Sequence, residues 1–344
     1  DYGHWNGLGL SHHELVAKAD AAERGEATGA LTAGWSTGTG GGARGLFVAG
    51  EAERADYIGQ SLARLLPRHE LLRRQRIALH LRASSALYSD VRGRRIGFAH
   101  FPLGSAADDA AKALARYNPT VLIAPPHRLI AFAKAGLALP SLRHLFFGSE
   151  PVSEQESAFV ARYFGLRPRA IYQATEGFLG AQCVAGRLHL NEHALRCEFQ
   201  PVDGTTGEQL IVTDLHRRSQ PIIRVRLDDF IEHPPAPDCP CGYAGTVIRP
   251  PAGRVQDLWR YVDKIVTPRA VTDAVEIPLG GAVAWQAEAG SAKVALRIAP
   301  EAPANAVAKA VTRLAKLVPV PIEHIAVAPD WSAPKRRKVA WSDD

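Results

Sequence analysis

A glycine-rich segment at residues 36–45 carries the strongest chemical signal in the chain. It contains five glycines together with Ser36, Thr37 and Thr39, and Arg44 stands near its end. Glycine lets backbone N–H groups approach an anion closely, while hydroxyls and a guanidinium donate hydrogen bonds to phosphate oxygens. The segment therefore predicts a loop that binds a polyphosphate, and a flexible Gly/Ser linker is the alternative.

Known phosphate-binding patterns fit this segment to different degrees. The P-loop pattern requires a Lys-Ser or Lys-Thr pair, which the segment lacks. A relaxed dinucleotide fingerprint fits Gly38, Gly40 and Ala43, but residues 28–35 do not resemble a buried strand and no βαβ pattern surrounds them. A third pattern, Ser/Thr-Ser/Thr-Gly-Ser/Thr-Thr-Gly-x-Pro-Lys-Gly, is matched at Ser36, Thr37, Gly38, Thr39, Gly41 and Gly45, with Arg44 in place of the Lys.

A second cluster of polar residues, Tyr172-Gln173-Ala-Thr175-Glu176, follows a predicted strand. Mg²⁺ prefers a few protein carboxylates combined with phosphate oxygens, so Glu176 is a candidate Mg²⁺ ligand, and Thr175 can donate to a phosphate. The same Thr-Glu pair is also typical of a helix N-terminus, with the threonine as N-cap and the glutamate in the first turn. Both interpretations stay open on the residues alone.

Three further segments contain residues suited to nucleotide binding. Gly148-Ser149-Glu150 lies between a predicted strand and a predicted helix, where small residues let a flat base lie against the backbone. Asp229 follows a predicted strand and can accept hydrogen bonds from both ribose hydroxyls, and Arg254 offers a further ribose or phosphate contact. Each of these segments is unremarkable by itself.

The cysteines form a separate group. Cys183, His189, Cys239 and Cys241 make a Cys₃His set, and Cys197 is an alternative to one of them. Four such ligands in a chain expected in the cytoplasm favour a closed, tetrahedral structural zinc site. Free buried thiols are the alternative, and a disulfide is not expected in that compartment.

The elements that must position these residues alternate along the chain. Helices are predicted at 11–24, 51–66, 106–116, 126–135 and 153–164, and strands at 77–81, 121–124, 142–147 and 170–172. This alternation predicts an α/β fold with parallel strands and with functional loops at their carboxyl ends. Further along the chain, strands are predicted at 209–213, 222–227, 282–287, 292–298 and 322–327, with a helix at 303–317.

Composition narrows the class of protein. The 344 residues are 46% hydrophobic and 22% charged, which allows a sizeable core, and the net charge is a mild +6. This charge suits an anionic small molecule and does not require nucleic acid. No apolar run approaches the ~20 residues of a membrane span, and no signal-peptide pattern opens the sequence, so we expect a cytoplasmic protein without a membrane partner.

Taken in order, the five nucleotide-binding segments resemble the motifs of the acyl-adenylate-forming superfamily of acyl-CoA ligases, peptide-synthetase adenylation domains and luciferases. Gly-Ser-Glu-Pro, Tyr-x-x-Thr-Glu, Ile-Arg-Val-Arg-x-x-Asp and Cys-Pro-Cys-Gly are most similar to the phenylacetate–CoA ligase and coenzyme F390 synthetase branch. The resemblance implies a multi-layered α/β fold with a large N-terminal domain, 1–256, and a small, mobile α+β domain, 257–344. The stretch before residue 36 is short for this superfamily, so we expect its N-terminal subdomain to be reduced or to lie partly outside this sequence.

The resemblance also implies a role for each motif. The hinge between the domains would be Asp257, and the catalytic lysine would fall in residues 334–338, where we favour Lys338 over Lys335; a basic, solvated tail is the alternative. The other roles are phosphate binding by Ser36, Thr37, Gly38, Thr39, Gly41 and Arg44, adenine contact by Gly148, Ser149, Glu150, Tyr172 and Gln173, ribose binding by Asp229 and Arg254, α-phosphate contact by Thr175, and Mg²⁺ binding by Glu176.

The implied reaction is adenylation of a carboxylic acid by Mg·ATP, followed by acyl transfer to CoA or to another thiol, amine or hydroxyl acceptor. Similarity to the compact adenylating enzymes of phenazine antibiotic biosynthesis favours an aromatic, griseoluteate-like acid. Core packing or an aromatic substrate pocket explains His127, Phe132, Phe146 and Phe147 equally well. A non-catalytic nucleotide- or acyl-binding relative is the main alternative, and an NAD-dependent oxidoreductase is the third.

Overall fold

A computed structural model of the protein describes residues 6–24, 26, 31–35, 45–81, 95–236, 238–330 and 336–342. In chain order the helices are α1 (His12–Glu23), α2 (Glu51–Leu65), α3 (Arg68–Leu71), α4 (Ala107–Tyr117), α5 (Pro126–Lys134), α6 (Glu154–Phe164), α7 (Pro268–Leu279) and α8 (Ala304–Ala315). The strands are β1 (Thr32–Trp35), β2 (Leu46–Ala49), β3 (Gln75–Leu79), β4 (Ile96–His100), β5 (Val121–Ala124), β6 (His144–Phe147), β7 (Arg169–Ala174), β8 (Gly177–Gln182), β9 (Leu188–Leu190), β10 (Leu195–Pro201), β11 (Glu208–Asp214), β12 (Val225–Ile231), β13 (Val247–Ile248), β14 (Trp259–Tyr261), β15 (Lys264–Val266), β16 (Trp285–Ala289), β17 (Val294–Ile298), β18 (Ile322–Ile325) and β19 (Val339–Trp341).

An eight-stranded sheet with the order β13-β9-β8-β7-β6-β5-β3-β4 forms the centre of the protein. Strands β4, β3, β5, β6 and β7 are parallel, as the sequence predicts. The remaining strands are antiparallel, because β7 turns directly into β8 at Thr175 and Glu176 without an intervening helix. The expectation of parallel strands is therefore right for one half of the sheet and wrong for the other.

Side chains that alternate along each parallel strand separate the two faces of this sheet. Ala78, Leu122 and Leu145 belong to a core cluster shared with α4, α5 and α6 on one face. Ile77, Val121 and Phe146 pack with the end of α2 on the other face. Helices on both faces leave the carboxyl ends of the strands as the open edge of the layer.

Helix α6 shows how capping residues set the two ends of a helix. Helix α6 begins after Ser153, whose Oγ accepts from the Glu156 N–H at 3.0 Å while Glu156 Oε2 accepts from the Ser153 N–H at 3.2 Å. This reciprocal pair is a capping box. The helix ends at Gly165, which adopts φ +68°, a left-handed conformation that glycine reaches without strain.

Several predicted elements differ from the observed ones. Helix α7 and strands β4 and β8 were not expected from the pattern, and β12 begins and ends about three to four residues later than the predicted 222–227 strand. Helix α7 carries Pro278 in its last turn, which obscures the helical pattern in the sequence. None of the described helices combines the length and apolar character needed to cross a membrane.

The C-terminal part of the chain builds its own sheet and core. Strands β18, β17, β16 and β19 form a four-stranded sheet, and α7 and α8 pack together beside it. One buried cluster, from Trp259 to Val339, is drawn entirely from this part of the chain. We call residues 258–342 the small unit, and the domain boundary at 256/257 stays a prediction.

Phe132 provides a test of the core. Its side chain is 0% exposed, and its ring lies 5.4 Å from that of His80. We expect Phe132→Ala to lower the free energy of unfolding by about 3–5 kcal/mol, because it removes a large buried ring and leaves a cavity. Leu72→Ala is the control, since Leu72 is 72% exposed and its loss should change stability by under about 0.5 kcal/mol. Urea unfolding of both variants measures the difference, and equal stabilities would contradict this packing.

Candidate active site

One large cavity, with a volume of about 1770 Å³, opens at the carboxyl edge of the parallel strands. Residues of all five predicted nucleotide-binding motifs, or residues next to them, line it: Trp35 and Gly45 at the two ends of the glycine-rich segment, Gly148, Ser149 and Glu150 after β6, Tyr172, Gln173, Thr175 and Glu176 at the β7–β8 turn, Asp229 on β12, and Arg254. Motifs that are far apart in sequence therefore meet around one space, where ligands of open α/β sheets bind.

The glycine-rich segment connects two antiparallel strands. Ser36, Thr37, Gly38, Thr39, Gly41 and Arg44 lie outside the described residues, but Trp35 on β1 pairs with Leu46 on β2. Residues 32–35 thus form a strand that the sequence did not predict. Because the described strands β1 and β2 are antiparallel neighbours, they do not form the parallel βαβ unit that a dinucleotide fingerprint requires.

Gln220 and Arg217, which the sequence analysis missed, hold β2 in place. The buried Gln220 side chain accepts from the Val48 N–H at 3.0 Å and donates to the Leu46 carbonyl at 2.9 Å. Arg217 donates to the carbonyl oxygens of Val48 and Thr175, at 3.2 and 2.9 Å. One guanidinium therefore ties the strand that follows the glycine-rich segment to the turn that carries Glu176.

Thr175 and Glu176 occupy a tight turn between two strands, so the alternative of a helix N-terminus is wrong. Burial raises the pKa of Glu176 above its ordinary value, and the nearby charge of Asp229 adds to the effect, while Arg217 and Arg254 oppose it. Burial likewise raises the pKa of Asp228, with Asp229 adding repulsion. These carboxylates repel one another, and hard oxygen donors in that state suit a divalent cation such as Mg²⁺.

Asp229 contacts both Tyr172 and the Arg254 segment. Its Oδ2 accepts from the Tyr172 hydroxyl at 2.8 Å, and its backbone bridges to that of Arg254. Burial and the charge of Asp229 raise the pKa of Tyr172 well above its ordinary value, so Tyr172 stays a neutral donor. Gln173, on the same strand, is exposed.

The Glu150 carboxylate is bonded by two side chains of the protein, so it is not free to contact an adenine ring. Its carboxylate accepts from His127 Nδ1 at 3.1 Å and from Arg336 Nε at 3.0 Å. Burial alone would raise the pKa of Glu150, but these partners outweigh it and lower the pKa to about 2. Ser149, immediately before it, adopts φ +73°, a left-handed conformation that is uncommon for a residue with a side chain.

The basic C-terminal residues 336–338 are not a solvated tail, so that alternative is wrong. The Arg336 and Lys338 side chains are only 9% and 15% exposed. Lys338 Nζ lies 2.6 Å from Glu156 and 2.5 Å from Glu276. The ammonium group of the lysine that we favour as catalytic is therefore already paired with two carboxylates. Lys335, the other candidate, lies outside the described residues.

Asp257, the predicted hinge residue, is buried and carries two contacts. Its carboxylate accepts from the Arg254 N–H at 2.9 Å and from Arg337 Nε at 2.6 Å. The junction with the small unit is thereby bonded to both the Arg254 segment and the C-terminal segment.

The aromatic residues divide between wall and core. Phe147 lines the cavity, whereas Phe132 and Phe146 are 0% exposed and lie within the core clusters. The expectation that Phe132 lines a substrate pocket is therefore not met in this structure, because α5 turns it inward towards β3. The His127 side chain bonds to Glu150, which lies in the cavity wall.

The Cys₃His set forms a compact cluster away from these contacts. The ligand atoms of Cys183, His189, Cys239 and Cys241 all lie within 4.8 Å of one another, with 3.5 Å between the sulfurs of Cys183 and Cys239. Cys241 Sγ is 3.3 Å from His189 Nε2. Cys197 lies on β10 and is not a member of the cluster.

This donor set fits a tetrahedral zinc ion. Zn–S bonds of about 2.3 Å place two sulfurs roughly 3.8 Å apart, close to the observed spacing. His189 Nδ1 lies 2.9 Å from the Gly245 carbonyl, a bond that directs Nε2 towards the cysteines. Pairing of β9 with β13 brings Cys183 and His189 close to Cys239 and Cys241. No local pattern in the sequence predicts that pairing.

No protein-family model and no curated protein matches the chain. Solved structures do. A 2-hydroxyisobutyryl-CoA ligase in the postadenylation state superposes with a TM-score of 0.68 and 18% identity, covering 89% of this chain and 72% of that one. The amide bond synthetase McbA from Marinactinospora thermotolerans gives 0.64 at 16% identity, covering 90% and 68%. The anthranilate CoA ligase AuaEII gives 0.63 at 12% identity, covering 87% and 64%.

Different states of one of these enzymes match to different degrees. The 2-hydroxyisobutyryl-CoA ligase gives TM-scores of 0.54 in an open conformation and 0.52 in the thioesterification state, against 0.68 in the postadenylation state. Because the enzyme is the same, this difference reflects how its parts are arranged. The chain has the fold of the acyl-adenylate-forming enzymes, and it superposes better on the postadenylation state of this ligase than on the other two states.

Proposed function

We propose that this protein adenylates a carboxylic acid with Mg·ATP and transfers the acyl group to a thiol or amine acceptor. The observation that carries this proposal is the single cavity on which the glycine-rich segment's flanks and the other four motifs converge. A likeness in fold alone would not require these residues to share one space. Their chemistry, with donors for phosphate, acceptors for ribose and carboxylates for a cation, matches the parts of a nucleotide.

In the proposed first step, a carboxylate oxygen of the acid attacks the α-phosphorus of ATP and pyrophosphate leaves. Residues 36–45 would hold the β- and γ-phosphates, and Asp229 and Arg254 the ribose. Glu176 would bind Mg²⁺, which supplies charge neutralisation on the phosphate oxygens when it is bound. Arg217 would keep Glu176 and the glycine-rich segment in register, so that rate enhancement comes from positioning and from charge.

The lysine that stabilises the reacting carboxylate is proposed to be Lys335. Lys338, our first choice from the sequence, already contacts two carboxylates, and those ion pairs would have to break before it could meet a substrate. Lys335 directly precedes Arg336, whose side chain contacts Glu150 in the cavity wall.

The acid and the acceptor are proposed on chemical grounds. Phe147 offers an aromatic wall, which supports an aromatic acid, and phenazine carboxylates are the first candidates. The structural neighbours include CoA ligases and an amide bond synthetase, so CoA and an amine are both acceptors to test. A non-catalytic binding protein remains the rival function. The antiparallel pairing of β1 with β2 gives no support to an NAD-dependent oxidoreductase.

We further propose that Cys183, His189, Cys239 and Cys241 bind one structural zinc ion. All four positions are filled by protein ligands, which is typical of a structural rather than a catalytic site.

Adenylation is tested by acid-dependent release of pyrophosphate from Mg·ATP across a panel of aromatic acids. We expect release with at least one acid and a fall of about 100-fold or more in Glu176→Gln, because the variant loses a charge that holds Mg²⁺. Glu198→Gln is the control, a partly exposed carboxylate on β10. Tight ATP binding without release for any acid would favour the non-catalytic rival.

The pH dependence of the same reaction tests the environment of Glu176. A raised pKa means that Glu176 takes up its proton at a higher pH than an ordinary glutamate, and the protonated form cannot bind Mg²⁺. We therefore expect the acidic limb of kcat/KM to lie above pH 4.5 and to move to lower pH as Mg²⁺ is raised, because the cation competes with the proton. If the position of the acidic limb does not change with Mg²⁺ concentration, Glu176 is not the ligand of Mg²⁺.

The zinc proposal predicts one zinc per chain by elemental analysis of purified protein. Cys241→Ser should lose most of the metal and lower Tm by several degrees, because it removes a ligand from a closed site. Cys197→Ser should keep the metal, since Cys197 lies outside the cluster. Metal-free wild-type protein with unchanged stability would refute a structural zinc ion.

A further inference from the structure

A row of charged side chains with alternating sign runs through the contact between the small unit and the rest of the protein. We call Glu150, Arg336, Glu156, Lys338 and Glu276 the ionic seam. Arg336 joins Glu150 and Glu156 at 3.0 Å each, and Lys338 joins Glu156 at 2.6 Å and Glu276 at 2.5 Å. A separate ion pair, between Arg269 of the small unit and Glu232, spans the same contact.

The seam is buried and its members come from both sides of the contact. Side-chain exposure is 2% for Glu150 and Glu156 and 1% for Glu276. Burial would raise the pKa of Glu156, but Lys338 and Arg336 outweigh it and lower the pKa below its ordinary value. Charges this far from water are tolerated only when opposite charges meet them, so each side needs the other.

Two carboxylates of the seam, Glu276 and Glu156, also form hydrogen bonds with groups outside it. Glu276 accepts from the Trp285 indole N–H at 2.7 Å and from the Ser153 hydroxyl, which is the N-cap of α6. Glu156 is the reciprocal partner of Ser153 in the capping box. The N-terminus of α6 therefore serves as the docking point for α7 and for the C-terminal segment.

Gly281 allows the close approach that the seam requires. A Cβ atom at this position would lie 2.2 Å from the Gln155 carbonyl oxygen and 2.3 Å from the Glu156 nitrogen, which no side chain can occupy. Its φ is not in the left-handed region, so alanine would be unstrained in an undocked small unit. Nearby, Lys134 Nζ donates to the Ala282 carbonyl at 2.7 Å.

We propose that Glu156 and Glu276 are positioning residues, which hold Arg336 and Lys338 and thereby keep the C-terminal segment at the cavity during adenylation. The inference rests on the proposed function. The arrangement of this structure, which matches a postadenylation state better than a thioesterification state, supports it. Acceptor transfer then requires the seam to open, and water replaces the lost partners of each charge.

The first experiment separates the two half-reactions. Acid-dependent ATP–pyrophosphate exchange reports adenylation, and transfer from preformed acyl-AMP to CoA reports the second step, with phenazine-1-carboxylate or the best acid of the panel. We expect Glu156→Gln and Glu276→Gln to slow adenylation by about 10-fold or more while transfer is unchanged or faster. Glu154→Gln is the matched control, because Glu154 lies on the same helix turn but is 81% exposed.

The second experiment decides whether Lys338 acts through the carboxylates or on the substrate. Lys338→Met leaves the buried Glu276 without a cation and Glu156 with Arg336 alone, so it should impair adenylation more than Glu276→Gln does. Adding Glu276→Gln to Lys338→Met removes one unpaired charge and should restore activity by about 10-fold. A catalytic lysine that touches the substrate could not be rescued in this way, so a double variant as impaired as Lys338→Met overturns the proposal.

Hydrogen exchange of the protein without ligands tests docking independently of catalysis. Gly281→Ala and Lys338→Met should speed amide exchange in peptides covering 150–160 and 276–286 and leave exchange in β5 and β6 unchanged. The control variant, Glu154→Gln, should exchange like the wild type in all of these peptides. Unchanged exchange in Gly281→Ala, together with normal adenylation, would overturn the proposal. If wild type adenylates no acid, the proposed function fails and the positioning role fails with it, even where exchange responds as expected.

Discussion

A carboxylate that is buried away from water needs a cation beside it, and the structure of this protein depends on how that need is met at Glu156. Its side chain is 2% exposed, and its cationic partners, Arg336 and Lys338, come from the far end of the chain. Because both partners directly precede strand β19 of the small unit, satisfying one buried charge fixes how the two parts of the protein meet. The same contacts determine which groups from the C-terminal segment face the cavity.

The cavity itself depends on the carboxyl edge of the parallel strands. Strands that run in one direction bring their following loops to one side, which is why Gly148 and the Thr175–Glu176 turn share a space. The change to antiparallel pairing after β7 has a chemical consequence. It places Glu176 in a short turn near Asp229, where two negative charges without a cation repel each other.

The Cys₃His cluster is organised separately from the ionic seam. It joins the β8–β9 connection to residues 239–241 through pairing of β9 with β13. Arg64 of α2 lies with its guanidinium carbon 3.6 Å from the Tyr243 ring centroid and also bonds Asn191 at 2.8 Å. The corner of the sheet that carries the Cys₃His cluster is thus packed against the helix whose other residues, including Ser61 and Leu65, line the cavity.

The sequence by itself determined the local features: the capping box of α6, the alternating helices and strands from α4 to β7, the types of residue in each motif and the side chains of the Cys₃His set. These follow from interactions between residues close in sequence, or from side-chain chemistry that needs no partner. Only the tertiary structure decided that Phe132 is core, that Glu176 sits in a hairpin turn, that Arg217 links two motifs and that Lys338 is occupied by carboxylates. Each of those features depends on contacts between residues that are far apart in sequence, and hydrophobic periodicity does not identify such contacts.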